Sequence, residues 1–563
     1  MRADLRRAEF KEGFKAVPLG LLFITILVTP GFNFDPYIMP KFFTLLILGF
    51  GLIAVILSKW LDFNLADKKI VILGFTTFLI ALTPSTLFSN NGMIKQVYGE
   101  YARQAGALTQ LTYLAILLFA VLLPVTSIRT AVNLFAVGGF ANSFYATLQY
   151  FELDPVNWNK RSAGMAALQG NPNFYSSLSG VLTIILLDRI FLRKQGISIK
   201  TVYVSLVFFL TWLNLVSDSI QGIILTFIGF VAVLSRFLFK RSRRLFAHLF
   251  MLTSTALFIF ISISVWGIGP LGSKLEQASL YYRRDYWLAG LKMFQQNIFT
   301  GVGLDGYGDW YHRTRSLSST MQLGSSDWTN SPHSQIIEYL AFGGAFLGFA
   351  YAVLIIIITR GIVILIKSKS IDTDIFTIML LFLALFVQSQ ISMHSVVLNS
   401  WMWFFAGIIL NRARIISVKN RDESGLRNSA SLIRKTEAPS RLMTPIFMIG
   451  AILGALIAMP AYIADTRFSQ AIQSRDSKKI FVASVGPFSS DTHGQFASLL
   501  FTSSGQKENA RRLLRQIHER NPDNVITLYL MLDFSPLGSK EYENIKRKIL
   551  ILDPLGRFSS KGS

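Results

Sequence analysis

Apolar stretches close to twenty residues long recur through the first 464 residues, and they restrict the fold more than any other property of the chain. A helix rises about 1.5 Å per residue, so about 20 residues cross a hydrocarbon core about 30 Å thick. Inside that core the backbone must satisfy its own hydrogen bonds, as a helix does. Predicted spans fall at about 16–31, 41–58, 70–88, 107–125, 130–150, 173–188, 201–216, 219–235, 246–266, 334–359, 374–393, 396–411 and 444–464, thirteen in all. Only 15% of the residues are charged, against about 25% in soluble domains. The expected fold class is therefore all-α, a polytopic integral membrane protein. The basic N-terminus, MRADLRRAEFKEGFK, could pass for a signal peptide. No small-residue cleavage site follows it and another span comes soon after, so it reads as the lead into a first membrane helix. The chain has no cysteine, which excludes disulfides, thiolate catalysis and cysteine-based metal sites.

The net charge of +23 could suggest nucleic acid. Thirteen spans with a cytoplasmic N-terminus divide the loops into two sets, and the inside set carries 29 Lys and Arg residues against 11 outside. The outside loops are longer in total, so the bias is the positive-inside pattern and needs no nucleic acid. This orientation puts the long loop 267–333 and everything after Ala464 on the extracytoplasmic side of the membrane. The chain thus divides into a transmembrane part, 1–464, and a tail, 465–563. In the tail, Ala510, Leu513, Leu514 and Ile517 are spaced for one helix face, with Asn521-Pro522 as a stop. A second helix and a second stop, Asp553-Pro554, follow about 32 residues later, close to the tetratricopeptide period of about 34. The Trp/Gly/Tyr signature of that repeat is missing, and a small helical bundle explains the pattern as well. Either form suits docking of a protein partner.

Polar chemistry concentrates in 280–348. Arg283 and Arg284 precede Tyr286 and Trp287, a turn with Gly301, Gly303, Gly306 and Gly308 follows, and His333 comes directly after Pro332. The glycines fit a phosphate-cradling spacing on paper, but no strand–turn–helix unit surrounds them, so they read as residues of sharp turns. An imidazole with an ordinary pKa near 6.5 can take a proton from a hydroxyl at neutral pH. Guanidinium groups offer planar forks for diphosphate oxygens. Upstream, KRSAGMAALQGNPNF places Arg161 in another outer loop and Asn171-Pro172-Asn173 at a helix start, where ordinary capping also explains the asparagines. Asp285, Asp305, Asp309 and Asp327 are scattered, so no metal site is expected.

This ordered set resembles the O-antigen ligase superfamily: the Arg–Arg–x–Tyr–Trp segment, the GVG turn, the histidine opening a helix, RSAG…GNPN at 161–173 and SDSIQG at 217–222. The superfamily includes lipopolysaccharide O-antigen ligases, glycan polymerases and protein O-oligosaccharyltransferases, and the resemblance covers about 130–410. There are departures. Many ligases carry an arginine where this chain has Ile220 and Gln221, an asparagine where it has Ser334, and a glutamate where it has Phe342. The resemblance implies a GT-C-like, metal-independent, inverting glycosyltransferase without a cofactor. Its donor would be an undecaprenyl-diphosphate-linked glycan, and its acceptor a glycan, lipid or protein. The family's essential histidine maps onto His333 and its loop arginine onto Arg283 or Arg284. Arg161, Asn173, Gln221, Tyr286 and Trp287 are candidate substrate contacts, although the aromatics could equally belong to the loop core. A polymerase of the same superfamily is an alternative, and a transporter of lipid-linked glycan is the rival from another class. A purely structural protein that recruits partners through its tail leaves the arginines and the histidine without a role.

Overall fold

The computed structural model describes residues 17–58, 69–88, 92–122, 128–156, 158, 164–265, 279–324, 327–368, 371–423 and 443–558. Among these residues there are helices and no strand. Every one of the thirteen predicted spans coincides with a helix. Seven helices are long and apolar enough to cross a membrane: Ile38–Ser58, Pro172–Phe191, Ile197–Leu215, Gln221–Lys240, Gln335–Lys367, Val396–Ser417 and Met443–Ser474. Four predicted spans fall on shorter apolar helices, Val17–Ile26, Ile72–Leu87, Ala107–Val121 and Thr373–Ser389. The remaining two fall on Ile128–Tyr150 and Arg244–Val265. The chain is an all-α, multi-pass membrane protein.

Packing follows the side chains available. Val396–Ser417 is buried almost throughout, with Trp401, Trp403, Phe404 and Phe405 at its centre. Met443–Ser474 lies against Ile38–Ser58 with Gly450 and Gly454 at the contact. A Cβ on either glycine would come within 2.4 Å of a carbonyl oxygen of the facing helix, Phe50 or Leu46. Small residues four apart let two membrane helices approach this closely.

The helix Gln335–Lys367 is broken at Gly343 and Gly344, the latter at φ +61°. A break inside a membrane helix leaves amides and carbonyls without partners, and something else must satisfy them. The glycine turn does so. Val302 N–H donates to the Ala341 carbonyl at 2.8 Å, Gly303 N–H to Phe342 at 3.0 Å, and Ala345 N–H to Ile298 at 2.6 Å. Gly301 sits at φ +65°, and a Cβ there would lie 2.4 Å from the Ala341 oxygen. The turn is a backbone splint for the helix that His333 precedes, as the reading of these glycines as turn formers anticipates.

Residues 33–35, 92–106, 279–324, 327–334 and 390–395 gather at one end of the bundle, joined by hydrogen bonds such as Arg103 to Asn330 and Arg283 to Ile391. The tail covers part of that end. It consists of Ser477–Ser484, Asp491–Ser503, Lys507–Arg520, Val525–Leu532 and Lys540–Leu552, with Asp476, Ser490, Asn524 and Ser539 as side-chain N-caps. Two of these helices end where the Asn-Pro and Asp-Pro stops stand, at Arg520 and Leu552. Phe468, Phe501, Leu513, Leu514, Ile517, Leu528 and Ile549 form a separate core for the tail. Asp465, fully buried, ties the tail to the bundle end. It accepts from Tyr101 Oη at 2.6 Å and from Phe34 N–H at 3.0 Å, and it lies 3.1 Å from His493 Nε2.

Candidate active site

His333 stands immediately before Ser334, the N-cap of Gln335–Lys367. Its backbone is left-handed, φ +55°, a conformation costly for a residue with a Cβ and kept only where surroundings enforce it. The enforcing bonds are visible. His333 N–H donates to Ser331 Oγ at 3.0 Å, and Ser331 Oγ–H donates to Glu338 at 3.4 Å. The imidazole lies parallel to the Tyr286 ring, centroids 5.5 Å apart and planes 24° apart. Its Nδ1 is buried with no hydrogen-bond partner among the described residues. Ring orientation therefore depends on the backbone and on the tyrosine, with no carboxylate behind it.

Tyr286 and Arg283 share the loop helix Ser279–Gln296. Arg283 is 4% exposed, and its guanidinium donates to the Ile391 carbonyl. No carboxylate among the described residues pairs with it. Burial lowers its pKa to about 10. His333 feels the same surroundings: burial, then the charges of Arg283 and Arg103, push its pKa down to about 3. At neutral pH this histidine is an unprotonated imidazole beside a buried cation.

Arg103, which sequence reasoning passed over, is the keystone of the floor. It is 2% exposed and pairs with Asp305 and Glu338, each at 2.9 Å, while donating to the Asn330 carbonyl at 2.6 Å. The second Asp305 oxygen accepts from the backbone N–H groups of Glu100 and Ala105, at 2.6 and 3.0 Å. One guanidinium thereby joins the 92–106 loop, the glycine turn, the segment before His333 and the start of the broken helix. The available signal was the scarcity of positive charge in the outer loops. His394, also missed, lies in the turn that supplies Ile391. Its Nε2 is 2.9 Å from Tyr113 Oη, and burial, then Arg103, lowers its pKa to about 3.

The other candidates are distributed differently. Arg284 is beside Asp285, 3.9 Å away, and Trp287 is half-buried on the same helix. Asn173 and Gln221 come together in a second polar cluster. Ser219 Oγ donates to Asn173 Oδ1 at 2.8 Å, and Ser177 Oγ to Gln221 Oε1 at 2.9 Å. Gln221 is fully buried there, where Gly180 and Gly222 let two helices touch. These bonds give Asn173 and Gln221 a packing role between Pro172–Phe191 and Gln221–Lys240. Arg161 lies outside the described residues. Tyr307 and Tyr311 are fully buried and Tyr307 Oη donates to the Tyr286 carbonyl at 2.6 Å, so these aromatics form the loop core. Trp310 lies under the Arg313 guanidinium, 4.5 Å from ring centre to charge. Among the described residues no three His, Asp or Glu side chains group as metal ligands would.

No curated protein matches the chain. Residues 204–352, the stretch holding Arg283, the glycine turn and His333, match the family model described as O-Antigen ligase. That match, over the polar loop and the helices that frame it, supports the O-antigen ligase superfamily.

Proposed function

We propose that the protein transfers a glycan from an undecaprenyl-diphosphate carrier to an acceptor hydroxyl on the extracytoplasmic face of the bacterial inner membrane. Family members are glycosyltransferase-like enzymes that use a lipid-linked glycan and an acceptor in the membrane. The observation that carries the finer reading is Arg283, a buried guanidinium with a carbonyl as partner and no carboxylate among the described residues, set beside an unprotonated imidazole. A buried charge without a counter-ion is unfavourable, and a diphosphate would supply the counter-ion. The donor diphosphate binds Arg283, with Arg284 and Arg161 as further contacts, and its lipid lies between helices. The acceptor oxygen attacks the anomeric carbon as its proton passes to His333. The bond from that carbon to the diphosphate oxygen breaks, the lipid diphosphate leaves with the electron pair, and the configuration inverts. The arginines stabilise the leaving charge in place of a metal. Trp287 and Tyr286 flank the site, and the tail, 465–563, is a helical, tetratricopeptide-like domain on the same side.

An imidazole whose pKa is about 3 is always deprotonated at neutral pH but weakly basic. The anionic donor eases this, because burial is the main cause of the low pKa and a diphosphate on Arg283 offsets the positive charge that adds to it. The sign is testable. A base must be unprotonated, so its acid limb falls at its pKa; kcat/KM reports the free enzyme and kcat the donor complex. The acid limb of kcat/KM is expected well below pH 6.5 and that of kcat at higher pH. Identical limbs near 6.5 would place the base elsewhere.

Replacing both Arg283 and Arg284 with glutamine is expected to raise the KM for the lipid-linked donor by about a hundredfold or more, since two lost charge-assisted contacts at about 1.5–3 kcal/mol each total at least about 3 kcal/mol. Unchanged donor kinetics in purified protein would remove them from the site. Surface glycans from cells lacking the gene test the reaction class. Polymer retained on the carrier with a bare acceptor indicates a ligase or protein glycosyltransferase. Single repeat units on the acceptor indicate a polymerase.

A further inference from the structure

The tail reaches the loop through an ion pair removed from solvent. Arg315, just after the short loop helix Tyr307–Thr314, lies 2.8 Å from Asp553 at the end of the last tail helix, and both side chains are 0% exposed. Tyr529 Oη donates to the other Asp553 oxygen at 2.9 Å. A second, half-exposed pair, Arg313 with Asp523 at 2.9 Å, stands beside it. Contacts lead inward from there. Arg315 donates to the Asp327 carbonyl at 3.2 Å. The Asp327 carboxylate accepts from Tyr311 Oη at 2.8 Å, and Tyr311 meets Tyr286 edge-on at 5.8 Å. Tyr286 carries the His333 ring.

We infer that the tail completes the transferase site, with Asp553 as a positioning residue that sets the His333 imidazole through Arg315, Asp327, Tyr311 and Tyr286. The inference rests on the proposed transferase reading. Its physical basis is the missing partner at His333 Nδ1: in many catalytic histidines a carboxylate at that nitrogen fixes the ring, and here a ring stack does so. A stack lacks the direction of a hydrogen bond, so the tyrosine must itself be held. The loop supplies Tyr307 and Tyr311, and the tail holds the far side of Tyr311 through Arg315. A desolvated ion pair suits this work, since it tolerates little displacement of either partner.

The test uses the full-length protein in lipid nanodiscs. Asp553→Asn keeps the shape and removes the charge. It is expected to lower kcat by about tenfold or more, because small displacements of a reacting group are expensive, with donor KM unchanged. A loss of folded protein would also lower kcat, so the pH profile decides. A loosened stack lets water reach the imidazole, and the acid limb of kcat/KM then moves up towards 6.5. The groups facing His333 that could also shift this limb are Arg283 and Tyr286 on the loop helix, and Arg103 with its partners Asp305 and Glu338. None of them is altered by the substitution. Asp523→Asn, at a half-exposed pair, perturbs folding least and is expected to lower kcat about twofold with a smaller shift of the same limb. Asp553→Asn and Asp523→Asn proteins with the wild-type kcat and acid limb would overturn the inference. So would a lower kcat with an unmoved limb, which is the mark of a merely structural tail. Parallel assays of wild type and His333→Ala separate the two layers. If the wild type does not transfer glycan, or His333→Ala does, the transferase reading fails; if those controls behave and the tail variants are silent, the tail inference alone fails.

Discussion

Replacing His333 with alanine is expected to abolish glycan transfer while the protein still inserts and accumulates in the membrane. The residue is half-buried at a helix start, and among the described residues its Nδ1 has no hydrogen-bond partner. On the proposed mechanism, what is lost is the proton acceptor. Positioned general bases contribute about 10²- to 10⁴-fold, so transfer is expected to fall by at least that factor. Glutamine in its place keeps the size and polarity without a basic nitrogen and is expected to be equally inactive. Immunoblots of membrane fractions alongside glycan gels check both halves of the claim, and normal glycans from cells expressing His333→Ala would contradict it.

Arg103→Ala is expected to fail differently, through stability as much as activity. Removing the guanidinium leaves Asp305 and Glu338 buried without their counter-charge, and breaking a buried pair from one side costs about 3–5 kcal/mol. The Asn330 carbonyl loses its donor too, and with it the segment that holds His333 at φ +55°. Arg103→Lys restores the charge but lacks the fork that reaches Asp305, Glu338 and Asn330 together, so it should recover part of the stability and little of the activity. Thermal unfolding of the purified variants and a transfer assay measure the two effects. An Arg103→Ala protein with the melting temperature and turnover of the wild type would remove this residue from the floor of the site.

These two residues also mark how far the sequence could be read. His333 of the proposed site could be singled out because it combines a rare residue type with a place where loop meets helix, after a proline. Arg283 was legible as one of two adjacent arginines ahead of Tyr286. The helices were legible because apolar runs of membrane length leave the backbone few alternatives. Arg103 was not, because its partners Asp305 and Glu338 are about two hundred residues away and neither end carries a local signal. The same distance hid the Arg315–Asp553 pair. The glycine turn was correctly read as a turn, but its purpose emerged only with the break at Gly343 and Gly344 that it splints. Asn173 and Gln221, both marked as substrate contacts, hydrogen-bond across a helix interface, a packing role that their sequence context does not reveal.

The reaction can be followed most directly with purified full-length protein in nanodiscs, an undecaprenyl-diphosphate-linked glycan and a candidate acceptor. The quantities to follow are released lipid diphosphate and glycosylated acceptor. The account predicts that both appear together in equal amounts with the wild-type protein, and that neither appears with His333→Ala. Equal turnover by the two proteins, or lipid-linked glycan moved across the bilayer with its diphosphate bond intact, would contradict it.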